Sequence, residues 1–437
     1  MNPGQGSWDV GATAWVLACT ALVLVMTPAV AFFYGGLVRQ KNVLGMVMQS
    51  FATIGVVTLM WAAIGFSFAF GSGRLLGGFE LAGLTGTDAR LPGFAHLAVP
   101  VPAFVVFQLM IAVVTPVLVT GATAERWRFE AYLLFVALWT VLVYAPVAHW
   151  VFSPEGWAHR LGVLDFAGGT VVHVNAGAAA LAAVWVLGRR RGWPGEPQRP
   201  HNLPLVMIGA GLLWFGWFGL TGGSALAANG VAATAVLNTQ LGAGAALLVW
   251  IAIERARFGK GTTLGAASGA VTGLVAVTPA AGYVTSLGAV VIGLLAGTVC
   301  QLAIGLKSWF GLDDSLDVVA VHLGGGVVGT LAVGLFATRS VNPDGADGLF
   351  YGGGYRLVGA QLVAVCAVVA YSLVLSGLLG SLTNRLLGNR VDPRDEAVGL
   401  DLSQHGESAY EIAPPRARAC APVPVPNGPG AARTRRR

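Results

Sequence analysis

Polar and apolar positions segregate on a coarse scale along this chain. Long apolar runs without a charged residue are separated by short polar connections. Such runs fall near residues 13–38, 43–70, 102–123, 131–152, 167–187, 203–222, 229–253, 262–281, 284–306, 318–338 and 357–384. Each approaches or exceeds the roughly 20 residues that an α-helix needs to cross a bilayer. The pattern predicts an all-α polytopic membrane protein with eleven spans. The first run follows Asp9 and no basic residue, and at about 25 residues it is too long and wrongly flanked for a cleaved leader. It reads as a retained span.

The basic residues repeat this alternation. Arg39 and Lys41, Arg126 and Arg128, Arg189–Arg191, Arg255, Arg257 and Lys260, Lys307, and Arg385 with Arg390 lie after spans 1, 3, 5, 7, 9 and 11. The other connections hold only scattered exceptions: Arg74, Arg90, Arg160, Arg339 and Arg356. Positive charge favours the cytoplasmic side, which places the N-terminus outside and the C-terminus inside a plasma (inner) membrane.

An odd count divides into five, five and one. Two five-span halves must have opposite orientation, the signature of an inverted repeat. The fifth span of each half carries a histidine, His173 and His322, in a stretch free of lysine, arginine and glutamate. Each follows an aspartate at the mouth of its span, Asp165 and Asp317, both suited to capping a helix N-terminus. An ionisable group inside a membrane is costly and usually faces a partner, a cavity or a substrate path. Entering from opposite faces, the two histidines can meet near the middle.

Composition agrees with the membrane reading. Of 437 residues 55% are hydrophobic and 11% charged, against about 25% charged in soluble domains. From Ile412 onward six arginines and no acid account for the whole net charge of +6. The remainder is neutral, so nothing points to nucleic acid. Cys19, Cys300, Cys366 and Cys420 are spaced for neither a metal site nor a disulfide framework. No metal or cofactor is expected. The 62 glycines include Gly168-Gly169, Gly222-Gly223 and Gly324–Gly326 inside or beside spans, where small residues let helices approach closely.

Several segments together resemble the ammonium transporter family (Amt/Mep, distantly Rh). They are Thr27-Pro-Ala-Val-Ala-Phe-Phe-Tyr-Gly-Gly-Leu-Val-Arg39, Gly121-Ala-Thr-Ala-Glu-Arg-Trp-Arg-Phe129 and Asp165-Phe-Ala-Gly-Gly-Thr-Val-Val-His-Val-Asn175. Further along come Pro200-His-Asn-Leu-Pro204, Gly216-Trp-Phe-Gly219, Gly223-Ser224, Val277-Thr-Pro279 and Asp313-Asp-Ser-Leu-Asp-Val-Val-Ala-Val-His-Leu-Gly-Gly-Gly326. Gly399-Leu-Asp-Leu-Ser-Gln-His-Gly-Glu-Ser-Ala-Tyr410 closes the resemblance, which covers roughly residues 8–411.

The resemblance implies a homotrimer with a pore through each subunit, and ammonium or ammonia as the transported species. It implies an outer vestibule of Phe107, Phe152 and Ser224 that recruits ammonium, with Asp165 beneath it. Aromatic faces attract a small cation, and a hydroxyl oxygen can accept one of its N–H bonds. It further implies that His173 and His322 line the pore, with Trp217 beside them. Neutral imidazoles offer donor and acceptor nitrogens to ammonia, whereas a dehydrated cation would cross such a tube only at much greater cost.

Three positions depart from the family pattern. Phe152 stands where many members have tryptophan, a stronger partner for cations. The paired phenylalanines that block the pore below the vestibule are replaced by Ile111 and Leu220. The paired change suggests an aliphatic gate that still excludes water but opens more easily.

The expected division is an eleven-span transporter domain over 8–390, an ordered cytoplasmic segment over 391–411, and a disordered proline- and arginine-rich tail over 412–437. Removing the tail should leave transport intact, while deletion from Arg385 should impair it. An ammonium sensor signalling through the cytoplasmic segment is the competing reading, and a PII-type signal protein at that face is compatible with both. A membrane enzyme lacks further ligands or carboxylates beside the histidines. A water channel would need a pore arginine, and no span carries one.

Overall fold

The structure, a computed structural model, describes residues 8–87, 91–94, 97–196 and 199–410. The tail of 412–437 therefore lies outside the described residues. Among the described residues ten helices are long and apolar enough to cross a bilayer, and an eleventh apolar helix is shorter. In chain order they are α1 (Val10–Leu37), α2 (Gln40–Phe70), α3 (Val101–Thr120), α4 (Phe129–Leu161), α5 (Gly169–Leu187) and α6 (Leu203–Gly223). There follow α7 (Gly230–Phe258), the shorter α8 (Thr263–Val277), α9 (Ser286–Trp309), α10 (Val319–Phe336) and α11 (Arg356–Leu387). No strand forms among the described residues, only isolated bridges from Trp127 to Arg390 and from Val284 to Ala337.

The elements start where the polar residues stop. Asp9, Asn202, Asn229, Thr262 and Thr285 each accept a backbone N–H from the first turn of the helix that follows. A helix N-terminus leaves such donors unpaired, and short polar side chains satisfy them.

The halves meet through equivalent helices. The first helix of each half, α1 and α6, form the most extensive pairing, and the fifth helices, α5 and α10, cross each other. That crossing is reciprocal. A methyl on Gly177 of α5 would lie 2.4 Å from the Leu323 backbone nitrogen, and one on Gly326 of α10 would lie 3.0 Å from that of Val174. Each glycine stands four residues after its histidine, so the contact that brings the helices together also fixes the histidines relative to each other. Gly325 likewise packs on Val275. The glycine run after His322 serves helix contact, as small residues do in membranes.

At one face the helix ends are tied by buried ions. Glu125, in the left-handed region at φ 71, accepts from the Arg39 backbone nitrogen at 2.7 Å and from its Nε at 2.9 Å. Arg190 grips Asp313 with Nε at 3.0 Å and a terminal nitrogen at 2.8 Å. Arg126 is fully buried and donates to the carbonyls of Asp313 and Ala122 at 2.7 and 3.2 Å. Burial pushes Glu125 and Asp313 toward neutrality, but the arginines beside them hold both below the usual carboxylate range. A charge buried this deeply persists only when paired and hydrogen-bonded.

On the same face the C-terminal segment docks through two short helices, α12 (Pro393–Val398) and α13 (Leu400–His405). The Leu400 amide donates to Asn42 at 2.8 Å, and the Gly45 amide donates to Asp401 at 2.8 Å. Glu396 accepts from the Arg191 amide at 2.6 Å, and Tyr410 reaches His201 at 3.0 Å. Gly399, at φ +113, lies so close to Lys41 that a methyl there would sit 2.5 Å from the lysine carbonyl.

Candidate functional site

The site grows from the N-termini of α5 and α10. Both open with a π-helical turn, Gly169–Val174 and Val319–Gly324, a wide turn that is often found at functional positions. At α5 the carboxylate of Asp165 spans the opening. One oxygen accepts from the amides of Gly168 and Gly169 at 2.9 and 2.6 Å, the other from Thr170 and Val171 at 2.7 and 3.2 Å. The preceding Gly168 has φ +112, a conformation that lets the chain turn back over the helix start.

At α10 the cap is Asp314, which accepts from Val318 at 3.1 Å and Val319 at 2.8 Å. This corrects the expectation for Asp317. The chain passes through a left-handed conformation at Asp317, φ 61, and the side chain instead pairs with Lys307 at 2.6 Å. Asp314 stands eight residues before His322, as Asp165 stands eight before His173. That shared spacing was the sequence signal for the true counterpart. Burial, and then the neighbouring Asp317 charge, push Asp314 up to about 6.

The histidines meet. Their Nδ1 atoms are 3.2 Å apart and their rings nearly parallel, 20° between planes with centroids 5.4 Å apart. Only 1% of His173 and 4% of His322 is exposed. Trp217 stacks on His173 at 5.3 Å and 13°, held by its indole N–H donating to Thr278 at 2.7 Å. The Nε2 atom of His173 has no hydrogen-bond partner among the described residues.

Two cavities approach this pair: the larger reaches His322, whereas the smaller reaches Asp165 and Ile111 but neither histidine. The smaller, about 340 Å³, is lined by Phe104, Gln108, Ile111, Phe152, Asp165 and Ser224 among others. The larger, about 580 Å³, is lined by Tyr34, Val318, Val321 and His322, with Asp317 and Lys307 beside them. The larger one opens on the face that carries Arg39, Glu125 and Arg190.

Four expected residues, Phe152, Ser224, Asp165 and Ile111, thus share the smaller cavity. The Ser224 hydroxyl donates to the Leu220 carbonyl at 2.8 Å, which leaves its oxygen free to accept. Phe107 is not on the lining. It is wholly buried against Gly223, where a methyl would lie 2.5 Å from its ring. Phe104 takes its place on the wall, and Phe104, Gln108 and Ile111 form an i, i+4, i+7 stripe of one helix face. Given Ile111, that period could have found Phe104. Leu220 is fully buried and lines neither cavity. Tyr283 and Asp344, also on the smaller cavity's wall, had no local signal, because they come from connections distant in sequence.

Comparison with known proteins places this geometry in context. A family model described as Ammonium Transporter Family matches residues 14–410. An ammonium transporter of Mycobacterium tuberculosis is 49% identical, over 94% of this chain and 92% of its own. One from Bacillus subtilis is 46% identical over 92% and 99%. Among solved structures, Mep2 of Saccharomyces cerevisiae matches with a TM-score of 0.83 at 34% identity, over 90% of this chain and 92% of that one. A structure described as a sensor Amt protein matches with a TM-score of 0.82 at 29% identity, over 90% and 98%.

Proposed function

The chain belongs to the ammonium transporter family, and from that premise we propose that it recruits ammonium in the smaller cavity, deprotonates it, and passes ammonia along the paired histidines to the larger one. The observation that carries this reading is the buried His173–His322 contact, 3.2 Å between Nδ1 atoms, with a cavity open to His322 on one side and a second cavity ending at Asp165 and Ile111.

The cation meets aromatic faces at Phe152 and Phe104 and an acceptor oxygen at Ser224. Asp165 attracts the cation without trapping it, because four backbone amides already occupy its oxygens. Ile111 and Leu220 form the constriction below. Two neutral imidazoles joined through Nδ1 must have one donor and one acceptor, so the nitrogens of the pair present both roles to ammonia. Trp217 fixes the His173 ring, whose Nε2 is free for the substrate. A proton shed above the gate either follows through the imidazoles or stays outside.

The protein acts as a transporter and not an enzyme, in a plasma membrane. Its N-terminus faces outward, and the docked C-terminal segment lies in the cytoplasm. It assembles as a homotrimer, and a PII-type signal protein would meet the cytoplasmic face. Ammonium sensing is the second reading. It is favoured by the likeness to the sensor Amt structure and by a C-terminal segment bonded to residues at the start of α2 and just after α5.

The test is an ammonium-jump current from purified protein in liposomes on a solid-supported membrane, with His173→Ala and Asp165→Ala alongside. A saturable current lost in both variants supports transport with charge. A rapid luminal pH change without current means that neutral ammonia crosses. Neither signal, with ammonium binding retained, would replace the transport reading with sensing.

A further inference from the structure

The smaller cavity contains two carboxylates with different surroundings. Asp165, at its floor, has both oxygens engaged by backbone amides. Asp344, from the connection between α10 and α11, is exposed on the same lining. It belongs to no ion pair among the described residues, and its own amide is tied to the Asn342 side chain at 3.1 Å.

The connection that presents Asp344 is itself fixed. The Thr338 amide donates to the Tyr283 carbonyl at 2.8 Å, and the Gly345 amide to Asn342 at 3.0 Å. Gly345 packs so closely on Tyr283 that a methyl there would lie 2.9 Å from the ring. The nearby cation, Arg339, is turned to the Gly345 carbonyl at 3.1 Å and is not on the cavity wall. The other ionisable groups on that wall are His159, Asp165 and Tyr283. Burial pushes the Tyr283 phenol up, and the carboxylates of Asp165 and Asp344 on the same wall add to this.

We propose that Asp344 is an electrostatic recruitment residue, a free carboxylate that concentrates ammonium in the outer cavity above the Phe152–Ser224 wall. This deepens the transport reading and rests on it. A phenylalanine at position 152 holds a cation less firmly than tryptophan would, and an unengaged negative charge on the same wall offsets that weakness. Because the carboxylate is exposed, it acts through a long-range field and not through a desolvated contact, so salt must weaken it.

The experiment compares wild type, Asp344→Asn and Asp344→Glu in liposomes, reading ammonium-jump current at about 10 mM and about 1 M sodium chloride, where the screening length shrinks from roughly 30 to 3 Å. Asp344→Asn is expected to raise the half-saturating ammonium concentration roughly threefold at low salt, with maximal current unchanged, and to match wild type at high salt. Asp344→Glu restores the wild-type value. An unchanged half-saturation at low salt, a rise that survives high salt, or an equal fall in maximal current would each overturn the assignment. Absence of any saturable ammonium response in wild type would overturn the transport reading together with it.

Discussion

The N-termini of α5 and α10 contain the same device in different surroundings. Each has an aspartate eight residues before a histidine, a π-helical turn, and a glycine four residues after the histidine. At α5 the aspartate holds four backbone amides and the histidine is enclosed beside Trp217. At α10 Asp314 holds two amides, and His322 opens on a cavity that also contains Asp317 and Lys307. An inverted repeat thus supplies the backbone twice, and the packing around each copy encloses His173 while leaving His322 on the wall of a charged cavity. The same fold element can then do two jobs.

The contrast breaks most visibly at the two caps. Asp165→Ala strands four amides where Asp314→Ala strands two, and each unpaired buried donor costs about 1–3 kcal/mol. Asp165→Ala should abolish current and sharply lower the yield of monodisperse protein, while Asp314→Ala retains measurable transport. Equal losses in both, by current and by size-exclusion profile, would mean that the two copies are equivalent after all.

A smaller effect lies at the gate on the α5 side. Ile111→Phe with Leu220→Phe should slow ammonium flux by roughly three- to tenfold, as bulk is added to a filled constriction. Indistinguishable rate and selectivity would remove the aliphatic gate from the account.

The α10 side is sharpened by pH. In the folded protein Asp314 is pushed up to about 6, above its ordinary value of 3.8. Between those values the native state keeps a proton that the unfolded chain releases, so this group's stabilisation is full below 3.8 and lost as pH rises through about 6. Asp314→Asn lacks that proton equilibrium. Its apparent melting temperature, relative to wild type, should therefore climb by a few degrees from pH 4 to pH 7. A constant offset across that range would mean that Asp314 does not titrate there. The smallest expected effect is at the C-terminus. Deleting 412–437 should leave flux within about a fifth of wild type, because its Pro- and Arg-rich composition offers little apolar surface to bury. A larger loss in the same flux assay would give the tail a role.

Much of this was legible in one dimension. The bilayer demands long apolar helices and penalises charge inside them, so the spans and the two exceptional histidines stand out from composition alone. Other features were visible but misread. The eight-residue spacing to Asp314 is present in the sequence, but the left-handed backbone that carries Asp317 away from the helix start leaves no mark there. Phe107 was placed on the vestibule wall by resemblance, whereas its neighbour Phe104 faces the cavity and Phe107 fills the space beside Gly223.

By itself the sequence determined that eleven apolar helices would form, that the chain would repeat in two halves, and which ionisable residues would lie inside. These follow from local hydropathy and periodicity, which each segment carries alone. Only the tertiary structure decided that the histidines touch through Nδ1, that Trp217 covers one of them, and that Asp165 and Asp344 share a cavity with one carboxylate engaged and the other free. Those outcomes depend on where glycines let α5 and α10 cross, and on a connection folded over Tyr283. They are relations between segments distant along the chain, fixed by packing and backbone hydrogen bonds that no single segment encodes.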